Sequence, residues 1–391
     1  MKIKLGIFFG GKSVEHEISI ITANQAYNSI NKEKYEVVPI YISKKGLLYT
    51  GENLFNLNKY KDLEALISNC TQVTLINDGK NINVIRYPIK KLGENIINTI
   101  DIAFPIMHGT NGEDGTIQGF LDLIGIPYIG PDILASSVGM DKIIMKKILQ
   151  ASNIPVVDFT SFYSIEYIKN EESILNEAEA LGYPLIVKPA NLGSSVGIKK
   201  AKNKEELIIA IENAIQYSSR IIVEKAITNL KEINCSVMGD SVNNEASVCE
   251  EPISSDEILS YKDKYVGGSK SSGSKAMAAS KKKLPADLST EKTKQVETLA
   301  KQTFKVLGAS GVARIDFLID NQTEEVYVNE INTIPGALSY YLWEATGKSF
   351  EQEIDELVNL ALKRQREKEK TTYSYDQNIL ALNGAKIGIK K

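Results

Sequence analysis

The stretch VARIDFLIDNQTEEVYVNEINTIPG, residues 312–336, constrains this chain more than any other. Two apolar runs, Val312–Ile319 and Val326–Ile331, flank the polar turn Asp320–Glu325, which is the pattern of a β-hairpin. Strand alternation puts Arg314, Asp316 and Leu318 on one face. On the second strand it groups Val328, Glu330 and Asn332. Arg314, Asp316, Glu330 and Asn332 can therefore converge on one surface. Two carboxylates and an amide oxygen form an all-oxygen set, which suits Mg²⁺ and not zinc. Taken alone, the hairpin reads equally well as an ion pair on a solvated sheet face. The rest of the chain decides for the metal.

The chain opens with a strand at Lys4–Phe9, a turn at Gly10–Ser13 and helical spacing over Val14–Asn28. Strand, glycine turn, helix is the entry to an open α/β domain, whose ligands gather at the carboxyl ends of strands. The turn is not G-x-G-x-x-G, so no dinucleotide site is read from it. Glu15 sits at the helix start, either as a favourable charge on the helix dipole or as a ligand group. Val37–Ile42 is a second strand, and residues 50–100 give only a weak strand at Gln72–Ile76. A strand over Ile100–Met107 ends in HGTNGEDG, a flexible loop of the kind that carries function. His108 in that loop is a candidate for carboxylate recognition or a structural histidine.

Ser136–Gln150 reads as one helix carrying Met140-Asp141-Lys142, and Val156–Tyr163 as a strand. Next come a strand with an embedded Lys188 and the loop Ala190–Gly197, whose N–H groups and serine hydroxyls can wrap phosphates, with a plain hairpin loop as the alternative. This is no Walker A loop, because its lysine precedes the glycines. Residues 254–283 turn rich in Ser, Gly and Lys, and read as a lid suited to polyphosphate, with a solvated linker as the plain alternative. Helices follow over Leu288–Leu307 and Phe350–Arg366; residues 367–391 suggest no role.

A net charge of −3 over 391 residues argues against a nucleic-acid or membrane surface. Cys70, Cys235 and Cys249 show no metal spacing, so a reduced, cytoplasmic chain is expected. No apolar stretch is long enough to span a bilayer, and the glycines at 10 and 11 break the opening apolar run, so it reads as a strand and not a signal peptide. Chemically, Lys142, Lys188 and a glycine-rich loop can hold a triphosphate. The carboxylate set can hold Mg²⁺ against it, and Arg314 adds a fixed cation beside developing charge. Phosphoryl transfer from a nucleotide follows from these parts, driven by positioning and charge neutralisation.

Lys188-Pro189 followed by GSSVG, VEKAI, RIDF and NEINTIPG resembles the ATP-grasp superfamily. GGKSVEHEIS, HGTNGEDGTIQG, IPYIGP and MDK narrow the resemblance to the D-alanine–D-alanine ligase family, over about residues 3–365. The resemblance implies an α/β chain, α+β in its ATP-grasp part. An open parallel-sheet domain over 1–131 would bind the first D-alanine. A central ATP-grasp part would span 132–227, and a C-terminal part 228–366, with a lid at 254–284 and a tail at 367–391.

By the same resemblance, Lys142, Lys188, Ser195 and the lid's Lys264 serve the ATP phosphates. Glu224 would meet the adenine amino group, with Lys225 and Ile227 lining the hinge, and Glu232 would bind the ribose. Asp316, Glu330 and Asn332 would hold two Mg²⁺ ions, with Mn²⁺ an acceptable substitute. Glu15 would bind the first D-alanine's ammonium near His108, and Ser194 and Tyr265 would tie the lid to Glu15. Arg314 and the Gly336 N–H would stabilise a tetrahedral oxyanion. The implied reaction makes a D-alanyl phosphate and then D-alanyl-D-alanine, ADP and phosphate, for peptidoglycan precursor synthesis. A homodimer is also implied. The chain departs from the family in a longer lid and in Tyr341, which stands before Leu342 where many members carry a serine at the second subsite. D-Alanine in both subsites is expected, with D-serine in the second, or another carboxylate–amine pair, as the alternative.

Overall fold

The computed structural model describes residues 2–253 and 282–373. Three sheets carry the chain. The first runs β6-β5-β4-β3-β2-β1-β7. It comprises β1 (Ile3–Gly10), β2 (Tyr35–Ile42), β3 (Leu48–Thr50), β4 (Thr71–Asn77), β5 (Ile82–Arg86), β6 (Ile96–Ile100) and β7 (Ile102–Ile106). Only β2-β1-β7 is parallel. The other neighbours, from the stretch that gave little sequence signal, extend it antiparallel. The expected single strand over 100–107 is two, broken at Asp101, whose carboxylate accepts the Lys4 N–H (2.7 Å). Leu5–Phe9 of β1 are buried, as a strand covered on both faces requires. At the carboxyl end of β1, Gly10 has φ +93° and any Cβ would lie 2.3 Å from the Ile42 carbonyl oxygen, so only glycine fits.

The second sheet, β10-β9-β11-β8, is antiparallel. Its strands are β8 (Phe159–Tyr163), β9 (Leu185–Pro189), β10 (Lys199–Ala201) and β11 (Arg220–Lys225). The third is β14-β13-β12-β15-β16, with β12 (Leu230–Gly239), β13 (Asn244–Pro252), β14 (Lys282–Lys283), β15 (Gly311–Asp320) and β16 (Val326–Asn332). The helix Thr290–Val306 covers its back, burying Val296, Leu299, Ala300 and Phe304 against Ile315, Phe317 and Val328.

The helix expected over 136–150 is two helices, Ile133–Met140 and Lys142–Ala151. Asp141 is extended (φ −90°, ψ 101°), and its carboxylate accepts the N–H groups of Ile143 (3.1 Å) and Ile144 (3.0 Å). An aspartate that caps a new helix ends the old one. The last helix, Phe350–Glu369, returns to the first sheet. Ile354, Leu357 and Val358 share one core with Leu5, Ile20, Ala23, Trp343 and Ile334. That shared core brings the segment after β16 against the helix His16–Ser29.

Candidate active site

The hairpin forms as read, with one correction. The register slips between Asp316 and Phe317, so that Asp316 faces Glu330 while Phe317 faces Val328. Asn329 is the extra residue of a bulge. Val328 is therefore buried with the core, and it does not share a face with Glu330 and Asn332. The same bulge leaves Asn329 and Glu330 both lining the cleft.

That cleft lies between the second and third sheets. Lys142, Lys188, Ser194 and Ser195 line one wall; Glu224, Lys225, Ile227 and Glu232 line the hinge side; Asp316 and Glu330 lie on the third sheet. Lys142 is placed by its backbone, whose N–H donates to the Ala190 carbonyl (2.9 Å). Its ammonium donates to the Leu192 carbonyl (2.9 Å) and lies 3.2 Å from Glu330. Lys188 donates to Glu224 (2.7 Å) and to Asn329 Oδ1 (3.2 Å).

Glu224 is sealed between two lysines. Lys146 Nζ lies 3.2 Å from its other oxygen and is fully buried. Burial alone would raise the Glu224 carboxyl, but Lys146 and then Lys188 hold it down at about 2. Burial lowers Lys146, with Glu224 opposing. The sequence reading did not single out Lys146, although its spacing of four from Lys142 puts both on one helix face. Lys225 turns its ammonium away, onto the Gly182 carbonyl (2.7 Å), so its backbone alone faces the cleft.

Arg314 and Asp316 form a two-point pair, Nε to Oδ1 at 2.7 Å and Nη2 to Oδ2 at 2.8 Å. Burial works against the Arg314 charge, but Asp316 raises its affinity for the proton well above the usual. Asn332 Nδ2 donates to Asp316 (3.0 Å). Among the described residues no cluster of three or more His, Cys, Asp or Glu is placed for a metal. The candidate set is two facing acids and an amide, with Arg314 and Lys142 beside them. All-oxygen donors with cations at hand fit a magnesium ion shared with phosphate.

The first-sheet side is built differently. Glu15 precedes the helix His16–Ser29 but makes no cap with its side chain; its carboxylate accepts the Ser194 hydroxyl. Gly109 and Gly193 pack on it, and a Cβ at Gly109 would lie 2.6 Å from Glu15 Oε2. His108 is buried with both ring nitrogens engaged. Nδ1 donates to the Ile334 carbonyl (2.8 Å), leaving Nε2 to accept from the Thr22 hydroxyl (3.0 Å). Burial lowers its basicity, with Glu15 opposing. With both nitrogens engaged, the ring fits the structural one of its two sequence readings.

Thr22 also accepts the Ala337 N–H (3.2 Å). It thereby helps hold Ala337, Leu338 and Ser339, three successive residues with φ of +52°, +54° and +57°. Such strain persists only where surroundings impose it, and it clusters at functional sites. Gly336 opens this turn.

Glu113, in the loop but not among the expected site residues, accepts the N–H groups of Gly109 (2.8 Å) and Ile334 (3.0 Å). Burial, then the Glu15 charge, pushes its carboxyl up to about 8. Tyr341 donates its hydroxyl to Glu250 (2.6 Å), and Leu342 is buried behind it. Lys264 and Tyr265, with most of the expected lid, lie outside the described residues.

A phosphate-sized lysine wall and a carboxylate rim, held in a cleft between two antiparallel sheets, make this an ATP-grasp ligase. Family profiles agree: the D-ala D-ala ligase N-terminus matches residues 4–131, and the D-ala D-ala ligase C-terminus residues 148–359. Over 384 residues the chain is 42% identical to a D-alanine–D-alanine ligase from Thermosipho melanesiensis, covering 98% of this chain and 100% of the relative. A D-alanine–D-alanine ligase structure from Coxiella burnetii superposes with TM-score 0.77 at 30% identity, covering 94% and 96% of the two chains. A D-Ala:D-Ser ligase from Enterococcus faecalis gives 0.76 at 33%, covering 92% and 100%. The chain belongs to the D-alanine–D-alanine ligase family. No helix among the described residues is long and apolar enough to cross a membrane.

Proposed function

We propose that the chain joins two D-alanines at the expense of ATP, giving D-alanyl-D-alanine, ADP and phosphate for peptidoglycan precursors. The observation that carries this reading is the Ser194–Glu15 hydrogen bond. It ties the phosphate loop of the cleft to an ammonium-binding carboxylate on the first sheet, so phosphoryl donor and amino acid meet at one point. Lys142, Lys188 and the loop at Ser194 and Ser195 hold the phosphates. The chain end of β11, from Glu224 to Ile227, seats adenine through its backbone, and Glu232 takes the ribose. Asp316, Glu330 and Asn332 are the groups that would hold magnesium, which would neutralise phosphate charge.

Glu15 anchors the first D-alanine's ammonium, and the carboxylate of that D-alanine attacks the γ-phosphorus, breaking the bond to ADP. The second D-alanine's amine then attacks the acyl carbonyl and expels phosphate. Arg314 and the Gly336 N–H face the oxygen that gains charge. The division into 1–131, 132–227 and 228–366, a homodimeric assembly and a cytoplasmic location belong to the same proposal. D-Alanine is preferred over D-serine as acceptor, supported by the names of the curated relatives at about 40% identity. The test is ADP release with a panel of D- and L-amino acids and mass spectrometry of the product. D-Alanine alone should stimulate release and yield the dipeptide. Release that ignores D-alanine, or a D-alanyl-D-serine preference in mixed substrate, would overturn it.

A further inference from the structure

The reaction row on the third sheet extends beyond the hairpin. Asn234 pairs with Asp316 on one side and with Glu250 on the other, and Asp316 pairs with Glu330. Directly opposed residues of neighbouring strands share a sheet face. Glu250, Asn234, Asp316 and Glu330 therefore form one continuous polar line across β13, β12, β15 and β16. Its Glu250 end is buried, with Tyr341 and Lys282 against it.

The contacts there are specific. Glu250 Oε1 accepts the Tyr341 hydroxyl at 2.6 Å and Asn234 Nδ2 at 3.0 Å. Lys282 Nζ stands 3.3 Å above the centre of the Tyr341 ring and 3.6 Å from Glu250 Oε2. An ammonium over an aromatic face is held by the ring quadrupole without using up its N–H donors. Lys282 and Tyr341 both feel the Arg314 charge, so the cluster lies beside the cation proposed above to face the reacting carbonyl. Arg314 itself is committed at two points to Asp316. The Tyr341 hydroxyl spends its proton on Glu250, so it presents no donor outward.

The incoming amino acid brings an amine to the acyl carbonyl and also a carboxylate, which must meet a cation once water is excluded. We propose, resting on the ligase reading above, that Lys282 is the residue that receives the second amino acid's α-carboxylate, with Tyr341 and Glu250 positioning its ammonium. Glu250 fixes the ring through the hydroxyl, and the ring fixes Lys282. The cluster thereby selects an acceptor that carries a free carboxylate, and it rejects an amide or ester of the same amino acid.

The experiment compares D-alanine with D-alaninamide as acceptor, at saturating ATP, in the wild type, Lys282→Met and Lys282→Arg. Wild type should favour D-alanine by on the order of 100-fold in kcat/KM. Lys282→Met should raise the KM for the second D-alanine by a similar factor while leaving the KM for ATP unchanged. It should also bring the two acceptors to near equality, and Lys282→Arg should keep most of the discrimination. A lysine that only neutralised Glu250 would weaken both acceptors alike, so unchanged discrimination in Lys282→Met overturns the proposal. If Lys282→Met does not fold, equal use of the two acceptors by a folded wild type overturns it as well. Wild-type enzyme that forms no dipeptide at all overturns the ligase reading and this inference together.

Discussion

Around Glu224, acidic and basic side chains are buried together: Lys146 and Lys188 flank a single carboxylate. Around His108, the groups are neutral or backbone: a ring between Thr22 and the Ile334 carbonyl, and Glu113 between two N–H groups. In the function proposed above, the two halves serve different substrates. The nucleotide half must meet a highly charged triphosphate, so it stores fixed cations and holds them apart with one buried anion. The amino-acid half must orient a small zwitterion, so it fixes shape through hydrogen bonds and a strained turn. Charge is costly to bury alone and directional bonds are cheap to orient, which is why each half uses the device it does.

The contrast can be broken experimentally. The largest effect is expected at the junction: Asp316→Ala should cut turnover by roughly 1000-fold while the thermal melt stays close to wild type. Near-normal ADP release would remove Asp316 from the metal set. Next, Glu224→Gln strands two buried ammonium groups and should cost about 3–5 kcal/mol in urea unfolding. Adding Lys146→Met should recover part of that loss, because one stranded charge goes; strict additivity would show that the charges are not coupled.

Smaller effects are expected on the neutral side. Thr22→Val removes the hydroxyl between His108 and Ala337, costing about 1–2 kcal/mol. It should raise the KM for the first D-alanine and spare that for ATP. A rise in the ATP KM instead would erase the division between the halves. A further effect concerns pH. The Glu113 carboxyl is held up at about 8 in the fold against 4.5 when free. Between those values the unfolded chain has lost a proton that the native state keeps, so stability falls as pH rises through this window and levels off above it. Glu113→Gln should flatten that part of the stability curve, and an unchanged slope would show that the carboxyl titrates normally.

Much of the nucleotide half was legible from sequence because local patterning places it. Alternation across Arg314–Asp316 and the lysine embedded in a strand follow from two-residue periodicity. The bulge at Asn329 was not legible, since a one-residue slip leaves no mark in composition, and it moved Val328 to the core. Lys146 was missed because a lysine in a helix reads as solvent-facing unless a buried partner 78 positions away is known (Glu224 less Lys146). The amino-acid half depends on contacts between distant segments, such as His108 with Ile334 and Thr22 with Ala337. The left-handed turn at Ala337–Ser339 carries no glycine to announce it. Glu250 falls in the same class, since sheet register alone aligns it with Asp316.

The central claim is that one D-alanine carboxylate becomes an acyl phosphate before the second amine attacks. D-Alanine labelled with ¹⁸O in its carboxylate, turned over with unlabelled ATP, tests it directly. The carboxylate oxygen that bonds to phosphorus leaves with it, so each inorganic phosphate should carry one ¹⁸O atom for each dipeptide formed from fully labelled D-alanine. Phosphate free of label, with dipeptide still accumulating, would contradict the account.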